Sequence, residues 1–323
     1  MDARALVVAH GGALDRRRLV ELGATDHDLR TALKRGGLHR PRRGWYSSWR
    51  EDDPRFRAMR VGGRLTGLSA IEALGGWVLG THPLHVAVPT NAARLRSQRR
   101  RDIRWADARP DGVVVHWVAA SHDRGSSTGV VPLVEALELV CRTASVEQSI
   151  AALDWARRRG QLDVLELAQL QGRLSDLGWL LDASERRCDS LPESLARTRC
   201  SATGWQVTLQ APWRPGLERI DLLIEGSVAL EVDGEEFHRD RFEQDRERDL
   251  SISEHGLHAL RPSARQVYMR WPLVQSAVEA ALAERGILVP LHNSGVASVS
   301  RPATRRRPAW APVRERGSPE LWR

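Results

Sequence analysis

The sequence predicts a multidomain α/β protein with a helical N-terminal module closed by a basic hairpin, a mixed α+β middle domain, and a C-terminal mixed sheet flanked by helices. Three observations predict it. Short apolar stretches broken by Gly pairs fill residues 1–62, and two alternating strands, Arg219 to Ile224 and Val228 to Val232, meet around a three-residue turn. The 323 residues are 41% hydrophobic and 28% charged, a globular composition with length for two or three cores.

Charge and composition exclude several function classes. No stretch approaches the ~20 apolar residues of a membrane span. Met1-Asp2-Ala3-Arg4 leads only to the short run Leu6 to Ala9, so a secretory leader is not expected and the cytoplasm is the expected location. Cys141, Cys188 and Cys200 form no C-x-x-C pair, so neither a disulfide framework nor a cysteine-rich zinc site is expected. Lys34 is the single lysine, in Leu33-Lys34-Arg35, which removes the phosphate-binding lysine of a P-loop. The net charge of +8 points to a polyanionic partner, nucleic acid above all, although the arginine bias also fits genome composition.

Taken in order, Leu6 to Ala9 reads as a helix ending at Gly11-Gly12. Leu14 to Leu22 reads as a second helix ending at Gly23, and Thr25 as the N-cap of a third, with Asp28 three residues on. Leu38 to Ser48 then has the pattern of a basic two-stranded wing. Helix, helix, helix, wing is the winged-helix order. Residues 1–62 carry 14 basic and 8 acidic side chains. Arg30 and Lys34 on the third helix, and Arg40, Arg42 and Arg43 in the wing, are the candidate nucleic-acid contacts, with DNA favoured. The alternative is a helical cap with a solvated basic face.

Gly37 to Tyr46, Gly-Leu-His-Arg-Pro-Arg-Arg-Gly-Trp-Tyr, resembles the N-terminal winged helix of AbiEi-type antitoxins. That resemblance continues into a middle domain, 63–175, with an apolar helix at Leu68 to Leu74, strands at Leu84 to Val88 and Val113 to Val118, and helices at Leu133 to Cys141 and Ser149 to Arg158. The Arg94, Arg96, Arg99, Arg100, Arg101 and Arg104 run reads as a solvated loop more readily than as a binding site. His82, His85, His116 and His122 lack metal-ligand spacing. Residues 294–323, rich in Pro, Ser, Ala and Arg, read as a disordered basic tail.

Between Glu218 and Asp249 the charge inverts to 12 acids against 5 arginines. Hard divalent cations are bound by carboxylates, so Mg²⁺ or Mn²⁺ is the expected cofactor. If Ile224 faces Val228, Asp221 stands opposite Glu231, with Cβ atoms ~5 Å apart. Odd-numbered Asp221, Leu223, Ala229, Glu231 and Asp233 then share one face, and even-numbered Ile220, Leu222, Ile224, Val228, Leu230 and Val232 face the core. The reading is Asp221 and Glu231 on the metal and Asp233 as a third ligand, directly or through water. His238 is the general base, and Arg248 is either a transition-state stabiliser or an ordinary ion-pair partner. His255 and His258 are expected to be solvated or structural.

Asp221, Glu231-Val232-Asp233-Gly234 and His238 resemble the restriction-endonuclease-like PD-(D/E)XK superfamily, and within it the very-short-patch-repair-like domain of unknown function 559. The resemblance runs from about Leu191 to Arg270, and includes Pro192-Glu193-Ser194, Asp245, Arg248-Asp249 and Leu260-Arg261. It implies a restriction-endonuclease-like mixed sheet flanked by helices in a domain spanning 176–293, with Asp221 and Glu231 as metal carboxylates, His238 activating water and Glu193 completing the metal shell. Asp233 stands where many members have lysine. The expected function is Mg²⁺-dependent phosphodiester hydrolysis by an endonuclease, DNA before RNA. The alternative is a non-enzymatic DNA-binding regulator or antitoxin with an inactive nuclease fold and a toxin or other protein as partner.

Overall fold

Asp2 opens the first helix by accepting the backbone N–H groups of Arg4 and Ala5 at 2.9 and 3.1 Å, so α1 (Ala3–Ala9) begins where a carboxylate meets the donors that a helix leaves free. The computed structural model describes residues 1–107, 112–119, 126–214, 218–233 and 242–287. These lie within one unit spanning residues 1–290. The proposed tail, 294–323, and His122 lie outside the described residues.

Strand β1 (Ala13–Asp15) follows α1, then come α2 (Arg16–Glu21) and α3 (Asp26–Lys34). Leu14 was expected to start a helix and instead centres β1. The reason is Asp15, whose extended backbone and side-chain bond to the Arg18 N–H at 2.7 Å make it the cap, so the helix cannot begin before Arg16. Thr25 and Asp28 form the expected capping box on α3. The hairpin closes through reciprocal backbone bonds between His39 and Ser47, at 2.8 and 2.9 Å, which leaves Arg40 to Gly44 as its turn. Gly44 sits there at φ 83°, in the left-handed region. Strand β2 (Trp45–Ser47) pairs antiparallel with β1, Leu14 opposite Tyr46. Leu14, Leu19, Leu29, Leu38 and Tyr46 form the core of this module.

The middle segment contains α4 (Pro54–Val61), β3 (Arg64–Leu65), α5 (Gly67–Ala73), β4 (Leu84–Pro89), β5 (Val113–Val118), β6 (Ser126–Ser127), α6 (Leu133–Thr143), α7 (Val146–Arg158), α8 (Val164–Arg173) and α9 (Gly178–Ala183). Its sheet runs β3-β4-β5, and β6 leaves it to join β1. Val86, Val88, Leu137, Leu153 and Trp155 are buried between that sheet and its helices. The arginine run, expected as a solvated loop, is exposed at Arg94, Arg99, Arg100, Arg101 and Arg104, half-buried at Arg96, and its backbone is a pinned bend. Ser97 and Trp105 donate to Ile103 and Leu95 across it, at 3.0 and 3.1 Å. The buried Arg60 holds it from beneath through the Arg99 carbonyl at 2.8 Å.

The C-terminal segment runs α10 (Leu191–Ala202), β7 (Val207–Arg214), β8 (Glu218–Ile224), β9 (Val228–Leu230), α11 (Phe242–Glu254), β10 (His258–Leu260), α12 (Ala264–Met269) and α13 (Trp271–Glu284). The sheet order is β10-β9-β8-β7, with β10 parallel to β9 and the other neighbours antiparallel. Leu222, Ile224, Val228 and Leu230 pack against Leu195 of α10, Val267 of α12, and Val278 and Leu282 of α13. The odd-numbered face is covered too, for Ala229 is fully buried and packs with Ile252 of α11. Ile220, expected with the even set, belongs to this second cluster. Parallel strands cannot be joined by a tight turn, and α11 lies on the connection from β9 to β10. Two ion pairs tie α10 to α7: Arg197 to the buried Asp154 at 3.1 Å, and Arg199 to Glu147 at 2.8 Å.

All three cysteines are buried and unpaired, and burial pushes the Cys141 and Cys200 thiols up to about 12. Among the described residues no helix is long and apolar enough to cross a membrane.

Candidate functional site

The hairpin of β8 and β9 turns through Glu225 and Gly226, both at positive φ, with Ser227 N–H donating to Ile224 O at 3.0 Å. Its register is the expected one, Ile224 opposite Val228 and Leu222 opposite Leu230. The next position puts Asp221 against Glu231, just where β9 ends. The Val232 N–H donates to Asp221 Oδ2 at 3.1 Å, which draws the two chains together at that point. On its other side β7 pairs Leu209 with Leu222 and Ala211 with Ile220, so Gln210 stands across from Asp221. Asp221 is therefore central, with a carboxylate on one flank and an amide on the other.

Asp221 takes no ion-pair partner among the described residues. Burial, then the charges of Glu193 and Glu231, push its carboxyl up to about 7. Glu193 lies third in α10 and is 6% exposed. Its oxygens accept from Asp189 N–H at 2.9 Å and Ser190 Oγ at 2.8 Å, and burial raises its pKa as well. The sequence-predicted acids Glu193, Asp221 and Glu231 thus converge electrostatically.

Glu231 is handled differently. Arg248 of α11 clasps it with two bonds, Nε to Oε2 at 2.7 Å and Nη2 to Oε1 at 2.6 Å, and also donates to the Arg219 carbonyl at 2.8 Å. Arg261 reaches Glu231 at 3.4 Å, Asp233 at 3.3 Å and Asp249 at 2.7 Å. Of the two roles considered for Arg248, the ion pair is the one observed. Asp233 faces Arg261, and its carbonyl accepts from Ala264 N–H at the start of α12. His238 lies outside the described residues, as does Gly234. His255 packs edge-on against Trp213 with centroids 5.1 Å apart, a structural place.

A basic basin borders these acids. Arg157, Arg158, Arg186, Arg187, Gln210 and Arg219 line a cavity of about 570 Å³ with Asp189. Arg219 lies two residues before Asp221 on the same strand, and Asp189 is bonded to Glu193. The side-chain nitrogen of Gln210 is buried without a hydrogen-bond partner among the described residues.

The N-terminal candidates are spread over two elements. Arg30 and Lys34 are exposed on α3, and Arg40 lies over the Tyr46 ring at 5.4 Å. Arg43 is exposed, whereas Arg42 is half-buried and turned toward the middle segment. A separate titratable pair lies on β4 and β5. His85 Nδ1 and His116 Nε2 are 3.0 Å apart, and burial pushes His85 down to about 4.

Sequence reasoning assigned no role to Arg261 and Arg219. Arg219 could have been found from its spacing to Asp221. Arg261 has no local signal, because its partners lie on other elements. The donor set of Asp221, Glu231 and Glu193 is all carboxylate oxygen, which suits a hard divalent cation, and Asp221 is a half-buried acid without an ion-pair partner among the described residues. The residues fit such an ion at Asp221, although among the described residues no three side chains are grouped with metal-ligating geometry. No protein-family model matches the chain, and a comparison with curated proteins finds no match.

Proposed function

We propose that the chain is a metal-dependent endonuclease acting on nucleic acid, DNA before RNA. The observation that carries this reading is the hairpin register, which sets Asp221 against Glu231 beside an arginine-lined basin. The order α10-β7-β8-β9-α11-β10, with one parallel pair in a four-stranded mixed sheet, supports a restriction-endonuclease-like fold. The order of three helices and a basic hairpin supports a winged helix over 1–62, ahead of a middle domain over 63–175 and a nuclease-like domain over 176–293.

Asp221 and Glu231 would hold Mg²⁺ or Mn²⁺, with Asp233 and Glu193 around them. A divalent ion bound there supplies charge stabilisation at the scissile phosphate and an acidified water. Arg219 and the basin arginines hold phosphates on either side of the scissile one. Gln210 donates its free amide into the same basin. Arg248 pairs with Glu231 through two bonds and fixes its rotamer. His238 accepts the proton of the attacking water.

A second reading is favoured by one observation, the clasp of Arg248 and Arg261 on Glu231. A carboxylate neutralised from within is what a regulator with an inactive nuclease fold would keep. Full-length protein incubated with plasmid, single-stranded DNA and RNA, with Mg²⁺ or Mn²⁺ and with chelator, separates the two. The nuclease reading expects metal-dependent cleavage that Asp221→Asn abolishes and His238→Ala slows by roughly 10²- to 10⁴-fold. Folded protein that cleaves none of the three with either metal, yet binds DNA unchanged in both variants, is a regulator.

A further inference from the structure

A half-buried guanidinium normally has a carboxylate beside it, because removing a lone charge from water is costly. The wing turn departs from this rule. Arg40, Arg42 and Arg43 share a concavity of about 530 Å³ with Arg94, Arg96 and Arg101 of the pinned bend. The acid in its lining is Asp102, and Arg100 already occupies that carboxylate at 2.8 Å. Arg42 and Arg96 are half-buried and have no ion-pair partner among the described residues. Burial and the charge of Arg96 lower the Arg42 pKa.

The cleft is built rather than accidental. Gly62 ends α4 at φ 133°, and a Cβ there would stand 2.5 Å from Arg42 Nη1, so the missing side chain makes room for the guanidinium. Arg96 N–H donates to the Val61 carbonyl at 3.1 Å, and Arg60 fixes the bend at the Arg99 carbonyl. The bend is thus anchored to α4, and the Arg42 guanidinium lies against the glycine that ends that helix. Two walls of like charge held together, with Asp102 the acid among their described lining residues and already paired with Arg100, leave a place for an anion. Arg40, Arg43, Arg94 and Arg101 are exposed at the mouth, which makes an open trough suited to a continuing strand rather than a closed pocket for a small molecule.

We propose that this cleft binds successive phosphates of a nucleic-acid strand, gripped between the wing turn and the Arg94–Arg101 bend. Guanidinium forks match phosphate oxygens in pairs, and an entering phosphate supplies the counter-charge that Arg42 and Arg96 do not find among the described residues. The footprint of the N-terminal module then extends into the middle segment, through residues whose sequence pattern marks only a solvated run. This inference is independent of the carboxylate site.

The test is a fluorescence-anisotropy titration of labelled duplex with the full chain, in chelator so that no cleavage intervenes, over a range of NaCl. The double variant Arg94→Gln, Arg96→Gln is expected to bind about tenfold more weakly near ~0.15 M salt, with a log–log salt slope shallower by about one to two. It should unfold at the wild-type temperature or above, since it removes like-charge repulsion. The control Arg265→Gln, Arg270→Gln removes the same charge from exposed positions outside the cleft and should stay close to wild type. Equal losses in the two variants would reduce the effect to net charge and overturn the proposal. Wild-type affinity in the Arg94, Arg96 variant would also overturn it, as would loss of tripolyphosphate binding with duplex binding intact.

Discussion

The wing cleft and the hairpin face of β8 and β9 carry opposite charge and treat its burial in different ways. On the hairpin, Glu231 and Asp233 are answered by Arg248 and Arg261, and Asp221 alone goes without. In the cleft, the lining acid Asp102 is spent on Arg100, and Arg42 faces Arg96 with no ion-pair partner for either among the described residues. Counting like charges would rank these regions by their totals. Pairing ranks them by which individual group lacks a partner, and that group is where a ligand lowers the free energy most.

The sharpest test of this contrast is at Asp221. Its carboxyl is raised from 3.8 to about 7 in the folded chain, so the folded state binds the extra proton between those values. Stability contributed by that protonated form is present at low pH and lost as pH rises through 7. Asp221→Asn in chelator should therefore gain stability relative to wild type between pH 5 and pH 8, read as a rising difference in urea midpoints. A constant difference across that range would mean that Asp221 carries no uncompensated charge.

Glu231 should respond in the opposite sense. Arg248→Met strands a carboxylate that is 6% exposed, and is expected to cost about 2 kcal/mol at pH 7, below the range for a fully buried pair because Arg261 remains and Arg248 is partly exposed. Urea unfolding of the variant gives the number. If stability is unchanged, the clasp is a surface contact and Glu231 is as free as Asp221.

A third group, half-buried and beside another imidazole rather than a charge, lies between these cases. His85 is held near 4 against 6.5, so the unfolded chain binds more protons than the folded one in that interval. Stability present at pH 7 should fall as pH drops from 6.5 toward 4, and His85→Gln should flatten part of that fall. The His116 contact at 3.0 Å makes the two rings respond together. The smallest effect is expected at Arg42→Gln, a slight rise in unfolding temperature from lost repulsion, measured by thermal denaturation without nucleic acid.

Much of the site followed from local rules. Alternating side chains and a three-residue connection set the β8–β9 register, because a one-residue slip would turn apolar side chains of the hairpin away from Leu195, Val267, Val278 and Leu282. The Thr25 capping box was likewise local. Strand β7 was harder to read because Pro212 and the positive φ of Gln210 interrupt it, which its edge position tolerates. Leu14 misled because its apolar spacing fits a helix, while the Asp15 cap depends on one side-chain bond.

The sequence by itself determined the β8–β9 hairpin, its opposed carboxylates, the three N-terminal helices and the basic turn from Arg40 to Gly44, since each depends on contacts between near neighbours. Only the tertiary structure decided what neutralises which charge. Arg261 meets Asp233 and Asp249 from another strand end, and Arg42 meets Arg96 because a glycine at the end of α4 lets them approach. Such pairings are set by how elements pack, and electrostatic energy depends on distance and burial rather than on order along the chain.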